Sequence, residues 1–422
     1  MHFSKISCTL TLLFCVLYAT VSAQITTEQY LEQQATDLNT LSRFDQKNAK
    51  IIAFGAFHGS AKTEDAEILL LQAIVKDQAL QYYFPETDYS IAFYFNEYLK
   101  TGDEVLLQDL VIQYGIRVPQ ERAIAVFEKW KKIKIINDAL PRKRKITVLG
   151  ADPIVSYKYA YRHIVALAKK ETGSWKMMEQ LKATIRTDTT DYSPYYESFA
   201  KKELQAFVAD YDKNSIAYAE SITNPKSFQY LMELLQQSFE KGGREKQIFT
   251  NYLKLATQYK LNDKLQFFRY GFAHLLKVRE GNAVSFLAQL IASGKYTKNE
   301  IVSITGYLTQ SEVLWDDIYD PEGHYVKSTT EGDFGIGDAD NEYFKGIENL
   351  KKSKVSDLTL FKVNAPNSPY AIPDCSDLIE IITIPAVDGP SYKSQVTTDF
   401  IDYALLISNS KANQSIYTLK KK

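Results

Sequence analysis

Four ionisable side chains each follow an apolar run that is typical of a β-strand. They are His58, Glu86, Asp152 and His274. Because the carboxyl ends of parallel strands meet at one edge of a sheet, we expect these side chains to converge on a single cleft. A neutral imidazole takes a proton from water near pH 7, and a nearby carboxylate fixes its tautomer. With an arginine to stabilise an oxyanion, such a set is sufficient for ester or amide hydrolysis without a metal.

The elements that must position this set alternate between strands and amphipathic helices, which predicts βαβ units. The predicted strands are Lys50–Phe57, Leu80–Phe84, Arg144–Gly150, Leu265–Phe272, Glu300–Leu308, Leu358–Val363, Leu378–Ile384 and Phe400–Ile407. We therefore predict an α/β fold with a mainly parallel central sheet flanked by helices. Helix follows helix over residues 156–259, which indicates a large helical insertion or cap.

Two further segments have a distinct composition. Residues 24–49 are predicted to form a lead-in helix, and Asp316–Tyr343, rich in Asp and Gly, is predicted to be a long loop. Residues 24–422 could hold two domains by length, but α/β enzymes of this size are often one domain, and we expect a single domain there.

The N-terminus is typical of a cleavable export signal. Lys5 provides the positive start, Cys8–Thr20 is mostly apolar, and Val21-Ser22-Ala23 supplies small residues before a cut at Gln24. That apolar run is shorter than the roughly 20 residues that span a bilayer. Residues 1–23 are therefore predicted to be a signal peptide, and the mature chain to be a soluble periplasmic or secreted protein with no membrane contact.

Charge and cysteine content exclude several classes of partner. The formal net charge is −1, from 50 basic and 51 acidic residues, so no basic surface predicts nucleic-acid binding. Cys375 is the only cysteine after the predicted signal, which excludes an intramolecular disulfide and a cysteine-based metal site. We expect no disulfide-linked partner and no cofactor, and we expect a small molecule as the substrate.

Five short blocks resemble, in order, motifs of the erythromycin esterase-like family and span roughly residues 50–280. They are Phe54–Gly59, Phe84–Glu86 with Phe95–Asp103, Gly150–Asp152, Arg244–Asn251 and Tyr270–His274. The resemblance implies a hydrolase of cyclic esters such as macrolide lactones, acting without a metal.

The resemblance also assigns roles to residues. It implies that His58 is the general base and that Glu86 is the active-site carboxylate. It places Arg244 and His274 with them in the cleft. We expect Asp152 and Asn251 to contribute to substrate binding.

One departure from the family pattern bears on catalysis. Family members carry a Glu two or three residues before the first His, where this chain has Ala56 and Gly55. Candidates to replace that carboxylate follow on the next predicted helix. They are Glu64, Asp65 and Glu67.

Two other functions remain open for the same cleft. Two His and one Glu make a plausible catalytic zinc set, so His58, Glu86 and His274 are alternatively the ligands of a metal-dependent hydrolase. The missing Glu also leaves room for a binding protein without turnover. A serine hydrolase of the α/β type is disfavoured, because the sequence has no G-x-S-x-G motif.

Overall fold

A computed structural model of the chain describes residues 25–44, 46, 48–77, 79–169, 175–187, 192–332 and 336–419. The predicted export signal, residues 1–23, lies outside the described residues. No helix in the described ranges has the length and apolar content needed to cross a bilayer.

The strands of the described chain fall into one large and two small sheets. They are β1 (Ala35–Asp37), β2 (Ile51–Gly55), β3 (Leu80–Pro85), β4 (Thr147–Val148), β5 (Leu265–Tyr270), β6 (Ile301–Thr309), β7 (Val313–Tyr319), β8 (Tyr325–Glu331), β9 (Glu342–Phe344), β10 (Leu358–Lys362), β11 (Ile381–Thr383) and β12 (Tyr403–Ser408).

Along the chain, most of the described helices come between two strands of the large sheet. They are α1 (Thr27–Gln34), α2 (Ala61–Asp77), α3 (Tyr89–Thr101), α4 (Glu104–Tyr114), α5 (Ile124–Ala139), α6 (Tyr157–Leu167), α7 (Lys176–Thr187), α8 (Phe199–Tyr218), α9 (Pro225–Phe239), α10 (Arg244–Tyr259), α11 (Phe286–Ala292), α12 (Ile347–Lys352) and α13 (Thr397–Phe400). Several 3-10 turns link them.

The central sheet has eight strands in the order β1-β10-β12-β6-β2-β5-β3-β4. The six strands from β12 to β4 pair in parallel, and β10 and β1 add an antiparallel edge. The α/β prediction with a mainly parallel sheet is therefore confirmed.

Strand β2 shows why this sheet is covered on both faces. All five of its residues are buried. Ile52 and Phe54 belong to one apolar core, whereas Ile51 and Ala53 belong to another, because successive side chains of a strand point to opposite faces. A parallel strand buried on both faces carries a continuous apolar run rather than an alternating one.

The region predicted as a helical insertion contains α6–α10, and its described residues include no strand of the sheet. These helices share one apolar core with the sheet. Leu204 of α8, Leu231 of α9 and Tyr252 of α10 belong to the same buried cluster as Ala53 and Phe268.

Three local predictions are wrong. The segment Asp316–Tyr343 is not a long loop, because β7 and β8 form an antiparallel hairpin and β9 begins at Glu342. The strand predicted at Leu378–Ile384 shrinks to β11, which pairs with β9 outside the central sheet. The lead-in helix ends at Gln34, after which the chain turns into β1 at the sheet edge.

Candidate active site

The structure brings the strand-end side chains together above neighbouring strands. His58, Glu86, Asp152 and His274 follow β2, β3, β4 and β5, which lie side by side in the sheet. Arg244, the first residue of α10, reaches into the same group from the helical region. Residues far apart in sequence thus meet at the carboxyl edge of the parallel strands, where open α/β sheets place their ligands.

Glu86 is the centre of this group. Its Oε1 accepts a hydrogen bond from Arg244 Nη2 at 2.6 Å, and its Oε2 accepts one from the backbone N–H of Gly271 at 2.7 Å. His58 Nε2 lies 3.2 Å from Oε2, and His274 Nε2 lies 3.7 Å from Oε1. Burial opposes ionisation, but the charges of His58 and Arg244 hold the pKa of the Glu86 carboxyl well below its usual value.

The turn that carries Glu86 is fixed by the next carboxylate along the chain. Asp88 caps α3, since its Oδ1 accepts hydrogen bonds from the N–H groups of Ser90 and Ile91 at 2.7 and 2.9 Å. Its Oδ2 accepts a hydrogen bond from the N–H of Val155 at 2.6 Å. This ties the end of β3 to the loop after β4.

His58 lies between two carboxylates. Its Nδ1 contacts Glu121 Oε1, while its Nε2 faces Glu86. Only an imidazolium donates hydrogen bonds from both ring nitrogens. Burial lowers the pKa of His58, but Glu121 and Glu86 outweigh it and raise that pKa to about 9.

His274 has one carboxylate and one guanidinium as close partners. Its Nδ1 contacts Glu245 Oε1, and its Nε2 accepts a hydrogen bond from Arg244 Nη1 at 3.0 Å. Because arginine only donates, this geometry places the proton of a neutral His274 on Nδ1. Burial and Arg244 lower the pKa of His274, but Glu245 and Glu86 leave it above its ordinary value.

Arg244 is held in place by a buried aspartate. Asp152 Oδ1 accepts a hydrogen bond from Arg244 Nε at 2.8 Å, and Oδ2 accepts one from Nη2 at 3.0 Å. Arg117 binds the same carboxylate from the other side. Four of the five N–H groups of Arg244 are thereby engaged, and the remaining one, on Nη1, has no acceptor among the described residues.

The two residues expected to bind substrate lie behind the site. Asp152 is fully buried against Arg117 and Arg244. Asn251 is also buried, and its Nδ2 donates to the backbone oxygen of Ala151 at 3.1 Å. In this geometry Asp152 orients Arg244, and Asn251 fastens α10 to the loop after β4.

Gly271 marks the gap between the two imidazoles. A methyl group added there would lie 3.5 Å from His58 Nε2, 3.6 Å from His274 Cδ2 and 3.8 Å from Glu86 Oε2. The lack of a side chain at this position leaves a space that faces all three groups at van der Waals distance.

The carboxylate beside His58 comes from a residue that sequence reasoning missed. Glu121 ends a short 3-10 turn, Pro119–Glu121, far from the motif that contains His58. The helical candidates do not reach the imidazole. Glu64 and Glu67 form a buried cluster with Lys129, at 2.5 and 2.9 Å from its Nζ, and Asp65 pairs with Lys132.

The geometry does not favour a metal at this cluster. In the described part of the chain, no group of three or more His, Cys, Asp or Glu side chains is arranged to hold a metal ion. The lone pair of His274 Nε2 that a metal would need accepts the N–H of Arg244 instead.

Comparison with solved structures places the fold. No protein-family model matches the sequence, and no curated protein matches it. The chain is similar to a Bacillus cereus protein solved by structural genomics, with a TM-score of 0.61 and 14% identity over 92% of this chain and 98% of that one. A protein described as a succinoglycan biosynthesis protein gives a TM-score of 0.60 and 13% identity over 93% and 99%.

A third similar structure is a histidine-to-asparagine mutant of the erythromycin esterase EreC in its open conformation. Its TM-score is 0.57 at 11% identity, over 90% of this chain and 98% of that chain. The chain therefore has a remote erythromycin esterase-like fold.

Proposed function

We propose that the chain is a hydrolase of carboxylic esters, including lactones, whose substrate is a small molecule. The observation that supports this most is the placement of His58 Nε2, Glu86 Oε2 and His274 Cδ2 around the space over Gly271, with Arg244 Nη1 at 3.0 Å from His274 Nε2. That space is where an ester carbonyl and a water molecule would meet a base and a cation.

The reaction assigns one step to each group. Neutral His58 takes a proton at Nε2 from the attacking water as its oxygen bonds to the carbonyl carbon. The Nη1 N–H of Arg244 that has no acceptor among the described residues stabilises the charge that develops on the carbonyl oxygen. When the C–O bond breaks, the imidazolium of His58 returns the proton to the leaving alkoxide. Glu86 and His274 keep the base and the guanidinium aligned.

The pH dependence follows from the charge around His58. The base must be neutral, whereas its two carboxylate neighbours keep it protonated until the pH approaches about 9. The rate is therefore expected to rise from neutral pH, to reach half of its maximum near pH 9 and to level off above that pH.

Replacing His58 by Ala tests the proposal. On a panel of chromogenic esters and lactones, His58→Ala should lose about 100-fold or more in kcat/KM while the thermal melt stays close to that of the wild type. His324→Ala is the matched control, because the His324 side chain is 78% exposed and, within the described part of the chain, pairs only with Asp320 across a hairpin turn. A His58→Ala variant as fast as the wild type on every hydrolysed ester would refute the proposal.

Export forms a separate part of the proposal. The support is the positive, apolar and small-residue pattern of residues 1–23. Expression of the full sequence in a bacterial host, followed by intact-mass analysis, should give a periplasmic or secreted chain that starts at Gln24. An uncleaved chain in the cytoplasmic fraction would contradict it.

A further inference from the structure

Glu121 is held against His58 by segments that are distant in sequence. The backbone N–H of Leu314 in β7 donates to Gly59 O at 2.9 Å, next to His58. Arg122, beside Glu121, donates from Nη1 to Tyr319 Oη at 3.1 Å and accepts at its carbonyl from the N–H of Ile416 at 2.8 Å. The β7–β8 hairpin and the C-terminal segment thus clamp the turn that carries Glu121.

The backbone of Gly59 shows how closely the hairpin packs. Its φ is 88°, a left-handed value that favours glycine, and an added Cβ would lie 2.4 Å from Leu314 O. The chain therefore bends immediately after His58 and leaves its imidazole facing the 3-10 turn.

The carboxylate of Glu121 makes few hydrogen bonds apart from its contact with His58. The residue is 1% exposed, and its Oε2 has no hydrogen-bond partner among the described residues, so its principal hydrogen-bonding contact is the one between Oε1 and His58 Nδ1. A buried carboxylate that bonds to an imidazole nitrogen fixes the tautomer of that ring. We propose that Glu121 is the positioning residue of His58, which holds the proton on Nδ1 so that Nε2 exchanges protons with water and substrate.

Charged side chains lie on both sides of this pair, and the buried hydroxyl of Tyr114 in α4 is close to Glu121 and Glu86. Glu86 faces the other nitrogen of His58, and behind it lie Arg244 and His274. Behind Glu121 lie Lys129 of α5, Arg269 of β5 and Glu64 of α2. Burial raises the pKa of Glu121, but His58 and Lys129 outweigh it and lower that pKa to about 2, so the carboxylate stays ionised at any working pH.

The test measures His58 directly and needs no substrate. The sequence contains five histidines, of which His2 lies in the predicted signal. In mature protein labelled with ¹⁵N-histidine, the His58 signals are those that disappear in His58→Ala. We expect them to titrate near pH 9 in the wild type and to show the Nδ1–H tautomer above that pH.

The variant Glu121→Gln should move this titration down by about one pH unit or more, because one of the two neighbouring carboxylates is gone. Glu121→Asp keeps the charge and should restore part of the shift. Glu245→Gln, the matched change beside the other imidazole, should move the His274 titration and leave that of His58 in place.

Activity provides a second measurement, which rests on the proposed function. In Glu121→Gln the rising limb of the pH–rate profile should move to lower pH, and its plateau should fall about 10-fold or more with little change in KM. If Glu121→Gln does not fold, the wild-type spectra decide alone: a His58 that titrates near 6.5, or carries its proton on Nε2, overturns the inference. An unchanged His58 titration in folded Glu121→Gln also overturns it, whether or not any ester is hydrolysed.

Discussion

The two histidines of the site have parallel surroundings. Each follows a parallel strand, points Nδ1 at a glutamate and turns Nε2 toward Glu86. We call each histidine with its glutamate one half of the site. In the His58 half the glutamate is Glu121, on a 3-10 turn distant in sequence; in the His274 half it is Glu245, in the first turn of α10.

One cation makes the halves differ. Arg244 donates to His274 Nε2, whereas among the described residues both ring nitrogens of His58 face carboxylates, those of Glu121 and Glu86. The same side chain is therefore held as an imidazolium at His58, and at His274 it is arranged to accept a hydrogen bond. Placement of a single guanidinium thus gives the two imidazoles different electrostatic surroundings, and in the proposed mechanism His58 is the base and His274 the orienting group.

The largest effect on activity is expected from changing Glu86, the carboxylate that both histidines face. Glu86→Gln removes the carboxylate shared by the two imidazoles and by Arg244. We expect kcat/KM to fall about 1000-fold, and both histidines to titrate at lower pH. Glu348→Gln, at an exposed carboxylate of α12, serves as the control. A shift confined to one histidine would show that the halves do not share Glu86.

A smaller loss of activity is expected from filling the space over Gly271, between the two imidazoles. Gly271→Ala places a methyl group at 3.5 to 3.8 Å from His58, His274 and Glu86, at a backbone φ of −56° that alanine adopts freely. The fold should persist while kcat/KM drops about 100-fold, because the reacting atoms lose their space. Gly389→Ala, with no atom near the new methyl, is the comparison. Full activity of Gly271→Ala would place the reaction elsewhere.

The smallest loss of activity is expected from a substitution that affects only the surroundings of His274. Glu245→Gln should lower the pKa of His274 and reduce kcat/KM about 10-fold, since this imidazole orients Arg244 and does not take the proton. Comparing kcat/KM of Glu245→Gln with that of Glu121→Gln measures how unequally the two glutamates contribute to the rate. A greater loss in Glu245→Gln would reverse the roles assigned to the halves.

The sequence predicts those parts of the site that follow central strands. β2 is a continuous apolar run, β3 and β5 are mostly apolar, and the first ionisable residue after each strand is His58, Glu86 or His274. Because parallel strands align their carboxyl ends, one-dimensional order was enough to group these residues.

Other parts depend on contacts that leave no local pattern. Glu121 follows no strand, and only the tertiary packing of its turn brings it to His58. The content of Asp and Gly predicts a loop over Asp316–Tyr343, where the structure has most of the β7–β8 hairpin. In the structure β8 has no buried residue and β7 exposes Trp315 and Asp316, so this hairpin lacks the apolar pattern by which a strand is recognised in sequence. Its antiparallel register becomes visible only in the structure.

The late position of the hairpin constrains the order in which the site is assembled. Residues His58 to His274 leave the ribosome well before Leu314, whose N–H holds Gly59, and before β6, which pairs with β2 in the sheet. A nascent chain that already contains His58 and His274 still lacks the segments that hold Glu121 against His58. Because the N–H of Ile416 also donates to the carbonyl of Arg122, beside Glu121, the clamp is complete only once the last quarter of the chain has been made. We expect C-terminal truncation to remove the clamp although no ionisable group of the cleft is lost.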